Sequence, residues 1–330
     1  MRPFEYARPQ TETEAVELLN DHAGQTAVLA GGTDLMSLLK QDVVQYERLV
    51  DIKNIESLQT ITESDDGVLI GAAVTLDDAL DSDLMLDHHS VRHVAEEHRA
   101  IQIQAMGTLI GDLCSQPQCW YFRNGYGLLG MQNGESLVET GDNRYHAIFG
   151  NTGPAKFVSS SRFAPSFIAW NAKVRVVGPG ENDEEYIPLE YFFVTPKTER
   201  QGTTILKPGQ LITHLWLPAV RPDTRSASYE VIELNGLDYP QAAASLTLHV
   251  EGDVVRDAKI VMGHVAPTPW IAHEAAQALI GRTVTEDTAS EIGNLAVSRA
   301  TPLSDNRYKV QMARTAVKRA LLKAVDKLDV

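Results

Sequence analysis

The stretch VLAGGTDLMSLLK, Val28 to Lys40, constrains the fold more than any other part of the chain. An apolar run ends in two glycines, adds Thr33 and Asp34, and resumes with Leu35, Leu38 and Leu39 at helical spacing. That order reads as strand, tight turn, helix. Glycines let backbone N–H groups come close to a phosphate, and a helix start adds partial positive charge. Thr33 offers a hydroxyl donor, and Asp34 can cap the helix. The same residues also make a plain βα connection with a good cap and no ligand. The loop has neither the G-x-G-x-x-G spacing of a dinucleotide fold nor the lysine of a P-loop.

A second segment, MGTLIGDLC from Met106 to Cys114, again places Thr and Gly at the end of a helical region. Two such loops can clamp the two phosphates of a pyrophosphate, which favours a flavin dinucleotide over a mononucleotide. No Ser-His-Asp spacing, H-E-x-x-H or Cys/His metal cluster accompanies them. Redox chemistry borrowed from a cofactor therefore fits better than side-chain catalysis, and no residue is assigned as catalytic or metal-ligating.

Composition narrows the partners. The 330 residues carry 29 Lys and Arg against 44 Asp and Glu, a formal net charge of −15. With no basic block to offset it, neither nucleic acid nor an anionic membrane is an expected partner. No apolar run approaches the roughly 18 residues of a membrane span. MRPFEYARPQ has neither an apolar signal region nor a cleavage site, so a cytoplasmic location is expected. Cys114 and Cys119 cannot build a disulfide framework.

Along the chain, TETEAVELLNDH reads as a helix burying Ala15, Val16, Leu18 and Leu19, and ERLVDIKNI as a second strand. Asp65-Asp66-Gly67 between alternating runs signals a hairpin, and a helix starts at Thr75. Residues 112–165 form a long irregular insert. FIAWNAKVRVVG and GQLITHLWLPA read as strands, and RPDTRSAS as the best linker. A three-stranded meander follows, then helices near 271–281, 285–299 and 306–327, which suggests a separate α+β domain.

Several landmarks occur in an order that resembles the FAD-binding medium subunit of the molybdenum hydroxylases, the family of xanthine dehydrogenase, carbon monoxide dehydrogenase and 4-hydroxybenzoyl-CoA reductase. They are FEYARPQTETEAVELL, LAGGTDLMSLLK, LVDIKNI, LIGAAVTLDDA, VMGHVAPTPWIAHEAAQALIG and RATPLSDNRYKVQMARTAVKRAL. The resemblance implies an α+β fold: a two-part FAD-binding domain of the vanillyl-alcohol-oxidase type, then a C-terminal domain with a three-stranded sheet and a helical bundle. The expected division is 1–221 (subdomains about 1–57 and 58–221) and 222–330. Leu29, Ala30, Gly31, Gly32, Thr33, Asp34 and Leu35 would cradle the FAD pyrophosphate, and Thr108, Gly111 and Asp112 would close on it. The implied partners are a molybdenum-cofactor large subunit and a [2Fe–2S] small subunit, assembled as a dimer of heterotrimers. Electrons would pass through FAD to an external acceptor.

The sequence departs from the family pattern at definable points. The second loop usually reads Thr-x-Gly-Gly-Asn; here Ile110 and Asp112 replace a glycine and the asparagine. Gln104-Ala105 stands for an Arg-Asn pair, and Ser161-Arg162 for Ser-Asp. These changes motivate an alternative, a flavin-free subunit that scaffolds the complex. The insert, with QPQCWYFRN and DNRYHAIFGN, resembles members that carry an extra [4Fe–4S] cluster. Cys119 stands at the first ligand position and no cysteine follows it, so the scaffold is expected without the cluster, which needs four ligands. Cys119 is then expected to pack beside Trp120 and Phe122.

Overall fold

A computed structural model of the chain describes residues 1–180, 183–234 and 238–328. The first elements are β1 (Glu5–Ala7), α1 (Glu12–Asp21), β2 (Thr26–Leu29), α2 (Leu35–Lys40) and β3 (Arg48–Asp51). The three strands are parallel, in the order β1-β3-β2. α1 starts at Thr11, whose hydroxyl accepts the Glu14 N–H at 3.1 Å, and it buries Ala15, Val16 and Leu19 while Leu18 stays half-buried. In a parallel sheet the loops after β2 and β3 leave from the same edge, where α/β folds gather ligands.

Next come β4 (Ile61–Ser64), β5 (Gly67–Gly71), α3 (Leu76–Asp81), α4 (His89–Glu97), α5 (Ile101–Met106) and α6 (Leu109–Leu113). The insert holds α7 (Trp120–Arg123), the β6 (Met131–Gln132) and β7 (Glu135–Ser136) hairpin and α8 (Leu137–Thr140). α9 (Ala164–Ala169), β8 (Lys173–Val177), β9 (Glu184–Pro188) and β10 (Leu211–Pro218) follow. The sheet order β4-β5-β10-β8-β9 is antiparallel throughout. The Asp65-Asp66 turn closes the β4–β5 hairpin, and Thr75 caps α3 reciprocally with Asp78.

FIAWNAKVRVVG is a strand only from Lys173. Its first part lies in α9, where all six residues are buried and Pro165 sits in the first turn. Asn171, at φ 56°, then reverses the chain. A fully apolar stretch carries no periodicity with which to tell a buried helix from a buried strand.

The last elements are β11 (Thr224–Val231), β12 (Ala242–Glu251), β13 (Val254–Gly263), β14 (Trp270–Ile271), α10 (His273–Leu279), α11 (Glu286–Ala296) and α12 (Tyr308–Ala324). The sheet has four strands, not the expected three, because the two-residue β14 pairs with Val261 and Met262 of β13. Two residues are too few to show an alternation. RPDTRSAS is not a linker beyond Asp223: from Thr224 it is β11. Its inward side chains are hydroxyls, and Ser228 bonds Ser245 Oγ at 2.7 Å and the Ser90 carbonyl at 2.8 Å, so a polar interior mimics a loop composition.

One apolar core joins the first two sheets through Val50, Ile70, Phe167 and Leu215. A second lies between the last sheet and α10–α12, and it takes in Ile148 and Phe149 of the insert. Leu128, Leu129, Ala155 and Phe157 form a small core of the insert's own. No helix among the described residues is long and apolar enough to cross a membrane.

Candidate functional site

The first loop leaves β2 at Leu29 and enters α2 at Leu35. A Cβ on Gly31 would lie 1.9 Å from the Met106 carbonyl oxygen and 3.0 Å from the Gly107 Cα. Only glycine lets the two loops touch there. Gly32 has φ +69°. The loop is also held from below. Lys53, just past β3, donates to the Ala30 carbonyl at 3.0 Å and pairs with Asp51 at 2.6 Å. Asp51 also accepts from the Tyr6 hydroxyl. Burial works against the Asp51 carboxylate, but the Lys53 ammonium and the Tyr6 hydroxyl outweigh it and hold the group below its ordinary value. Tyr6, Asp51 and Lys53 were not picked out from the sequence. Their position at the edge of a parallel sheet, beside the loop after β2, is the signal that identifies them.

Among the described residues, none accepts a hydrogen bond from the backbone N–H of Gly31, Gly32, Thr33, Asp34 or Leu35. Successive backbone donors left without a protein acceptor around glycines are the kind of feature that can hold an anion. α2 has only six residues, so these loop donors supply the positive potential and the helix axis adds little.

Asp34 does not cap α2. Its backbone is helical and its side chain makes no capping bond. The carboxylate turns to the insert instead, accepting from Arg123 Nη2 at 2.7 Å, the Gln116 N–H at 2.9 Å and Gln118 Nε2 at 3.4 Å. A bond to a charged guanidinium is stronger than one to a neutral backbone N–H, which favours this orientation of the carboxylate.

The second loop has its donors taken up by the protein. Thr108 caps α6 by accepting the Gly111 N–H at 3.0 Å. Gly107 N–H donates to Ile103 O and Leu109 N–H to Val74 O. Ile110 is not in a positive-φ conformation; it lies on α6 with its side chain in the core at 3% exposure. The substitution therefore leaves the backbone unstrained. Asp112 points at the start of α9, where it accepts from the Ser161 hydroxyl and from the N–H groups of Phe163 (3.0 Å) and Arg162 (3.3 Å). Burial raises its carboxyl above the ordinary value, against these donors. Arg162 forms a two-pronged ion pair with Glu230 of β11, both almost fully buried.

Thr33, Asp34, Thr108, Asp112, Arg162 and Tyr239 border one open cleft. Burial and the carboxylates of Asp34 and Asp112 push the Tyr239 hydroxyl up to about 12. His98, stacked on Phe163 at 5.5 Å, is pulled down to about 3 by burial and Arg162. Both are neutral near pH 7. Of the sequence-selected residues, Leu29, Ala30, Gly31, Gly32, Leu35 and Gly111 shape the two loops without lining the cleft. Gly107, Arg123 and Arg162 belong to the site and were not selected for it.

Cys119 packs with Phe122 against the small core of the insert, and its Sγ lies 3.2 Å from His146 Nε2. Trp120 meets Tyr145 edge-on at 5.4 Å and lines a second cavity with Tyr239, at the junction with the C-terminal sheet.

Residues 2–220 match the family model of the FAD binding domain in molybdopterin dehydrogenase. Residues 227–327 match that of the CO dehydrogenase flavoprotein C-terminal domain. The chain is 26% identical to the carbon monoxide dehydrogenase medium chain of Hydrogenophaga pseudoflava, over 96% of each. It is also 26% identical to the aldehyde oxidoreductase FAD-binding subunit of Escherichia coli, over 98% of this chain and 99% of that one. Among solved structures, a carbon monoxide dehydrogenase from H. pseudoflava superposes with TM-score 0.77 at 25% identity, over the full length of both chains. Quinoline 2-oxidoreductase from Pseudomonas putida shares the fold at TM-score 0.72. The chain belongs to the molybdenum hydroxylase family, as one of its FAD-binding medium subunits.

Proposed function

We propose that this chain is the electron-transfer flavoprotein of a molybdenum-dependent hydroxylase or dehydrogenase complex. It takes electrons from a [2Fe–2S] small subunit and delivers them to an external acceptor, while substrate chemistry resides on a molybdenum-cofactor large subunit. The observation that carries the reading is the run of free N–H groups from Gly31 to Leu35 beside a cleft that the second loop closes. The residues fit FAD: the first loop, Leu29–Leu35, suits its pyrophosphate, with Thr108, Gly111 and Asp112 on the far side. When bound, the flavin supplies storage for two electrons and release of one at a time. The chain's own part is to bind and orient. Lys53 and Asp51 fix the Ala30 carbonyl, Gly31 seats one loop on the other, and Thr108 holds the second loop in shape.

The same reading divides the chain into a flavin domain, 1–221, and a C-terminal domain, 222–330. It places the protein in the cytoplasm within a dimer of heterotrimers and leaves the insert without a [4Fe–4S] cluster. A visible spectrum of the purified chain before and after adding FAD, with iron assayed in the same sample, tests it. Oxidised-flavin bands without iron are the expected result. A colourless protein that ignores FAD overturns the reading in favour of a scaffold.

A further inference from the structure

Asp34 puts a carboxylate in the middle of a loop suited to a diphosphate, and like charges at that range repel. Arg123 answers it from the insert, 89 residues away in the chain. The pair is mostly shielded from water, with side chains 13% and 17% exposed, so solvent screens it weakly. The guanidinium is fixed by its own segment as well. Its Nε donates to the Pro117 carbonyl at 2.9 Å and its Nη2 to the Gln116 carbonyl at 2.9 Å. Gln118 ties the same segment to Ser160, whose hydroxyl accepts the Gln118 N–H at 3.0 Å.

We propose that Arg123 is a positioning residue for nucleoside-diphosphate binding. It neutralises Asp34 and turns that carboxylate toward the insert, so that the first loop presents N–H donors and no net charge to the diphosphate. Residues 116–123 are then one wall of the nucleotide site and have a task that needs no cluster. The inference rests on the flavin reading and adds a residue that no loop motif contains.

The test is titration of the full-length chain with FAD, followed by flavin fluorescence, in wild type, Arg123→Ala, Arg123→Lys, Asp34→Asn and the Arg123→Ala/Asp34→Asn double variant. Arg123→Ala should raise the FAD Kd about tenfold or more, because it leaves a shielded carboxylate unpaired beside the phosphates. The double variant should recover most of that loss, and Arg123→Lys part of it. ADP, which keeps the diphosphate and lacks the flavin, should rank the variants in the same order. If Arg123→Ala does not fold, the lysine and double variants carry the comparison. An Arg123→Ala protein that binds FAD like wild type, or a double variant no better than Arg123→Ala, overturns the inference alone. Wild-type protein that ignores FAD overturns the flavin reading beneath it, before any variant is compared.

Discussion

The two glycine–threonine loops look alike in sequence and do opposite things with their backbones. From Gly31 to Leu35 the N–H groups have no protein acceptor among the described residues. From Gly107 to Asp112, Ile103, Val74 and Thr108 absorb four of them. A loop that leaves donors free is held open by its surroundings, here by Lys53 on Ala30 and by Met106 against Gly31. A loop whose donors are taken up by the protein has few left for a ligand and serves as a wall. On the proposed flavin reading, the difference separates anion cradle from support, although both segments read as phosphate loops.

The sharpest way to break that comparison is Gly31→Ala. The added methyl would sit 1.9 Å from the Met106 carbonyl oxygen, and no flexible side chain can yield there. The loops must part, which should cost about 3 kcal/mol of stability and abolish flavin retention. Thermal melting, with the flavin content of the purified protein, reads both. A Gly31→Ala protein that keeps wild-type melting would show that the loops do not touch.

The support side has its own anchor in Arg162 and Glu230. Burial pushes the Glu230 carboxyl up and the guanidinium opposes it. Arg162→Ala leaves that carboxylate buried and unpaired, a loss of about 3 kcal/mol. Replacing both partners, Arg162→Met with Glu230→Leu, should restore much of it. Urea unfolding of wild type, the single variant and the double variant compares the two losses, and a double variant as weak as the single would assign the cost to lost packing.

Acid should loosen the seam between the insert and the C-terminal sheet. His146 and His264 are buried between the insert and the C-terminal sheet. Burial, reinforced by Lys309, and by Arg162 for His264, pulls His146 down to about 4 and His264 to about 3. Between pH 6.5 and about 4 the unfolded chain binds protons at both residues and the folded chain at neither. Stability therefore falls as pH drops through that window, by up to about 1.4 kcal/mol per pH unit for each histidine. His264→Gln should flatten this slope by roughly one histidine's share in urea midpoints taken from pH 7 to 4.5. An unchanged slope would remove His264 from the account.

Most of this architecture was legible in the sequence because its signals are local. The βα turn at Gly31, the Asp-Asp-Gly hairpin and the Thr75 cap each follow from a few adjacent residues. What was hidden depends on distant partners. Asp34 looked like a helix cap because Arg123 lies 89 residues away. Ile110 reads as a break in a flavin loop and Arg162 as a departure downstream of it, since neither the core around Ile110 nor Glu230 can be read beside them. β11 passed for a linker because its inward hydroxyls find partners on α4 and β12. Residue types report local conformation well; charge pairing and burial across the chain appear only once it is folded.

The smallest test addresses whether the second loop is a wall at all. Thr108 is 4% exposed, and its hydroxyl accepts the Gly111 N–H. Thr108→Ala removes that acceptor and should cost about 1 kcal/mol. The freed Gly111 N–H stays next to the cleft, so the loss need not extend to ligand binding. If the wall account holds, FAD affinity should change by less than about threefold while melting drops by a few degrees. Thr108→Ser, which keeps the acceptor, should melt like wild type apart from the missing methyl. A loss of FAD affinity in Thr108→Ala far beyond its stability loss, rescued by serine, would make the hydroxyl a direct phosphate donor. The two loops would then share the cradle.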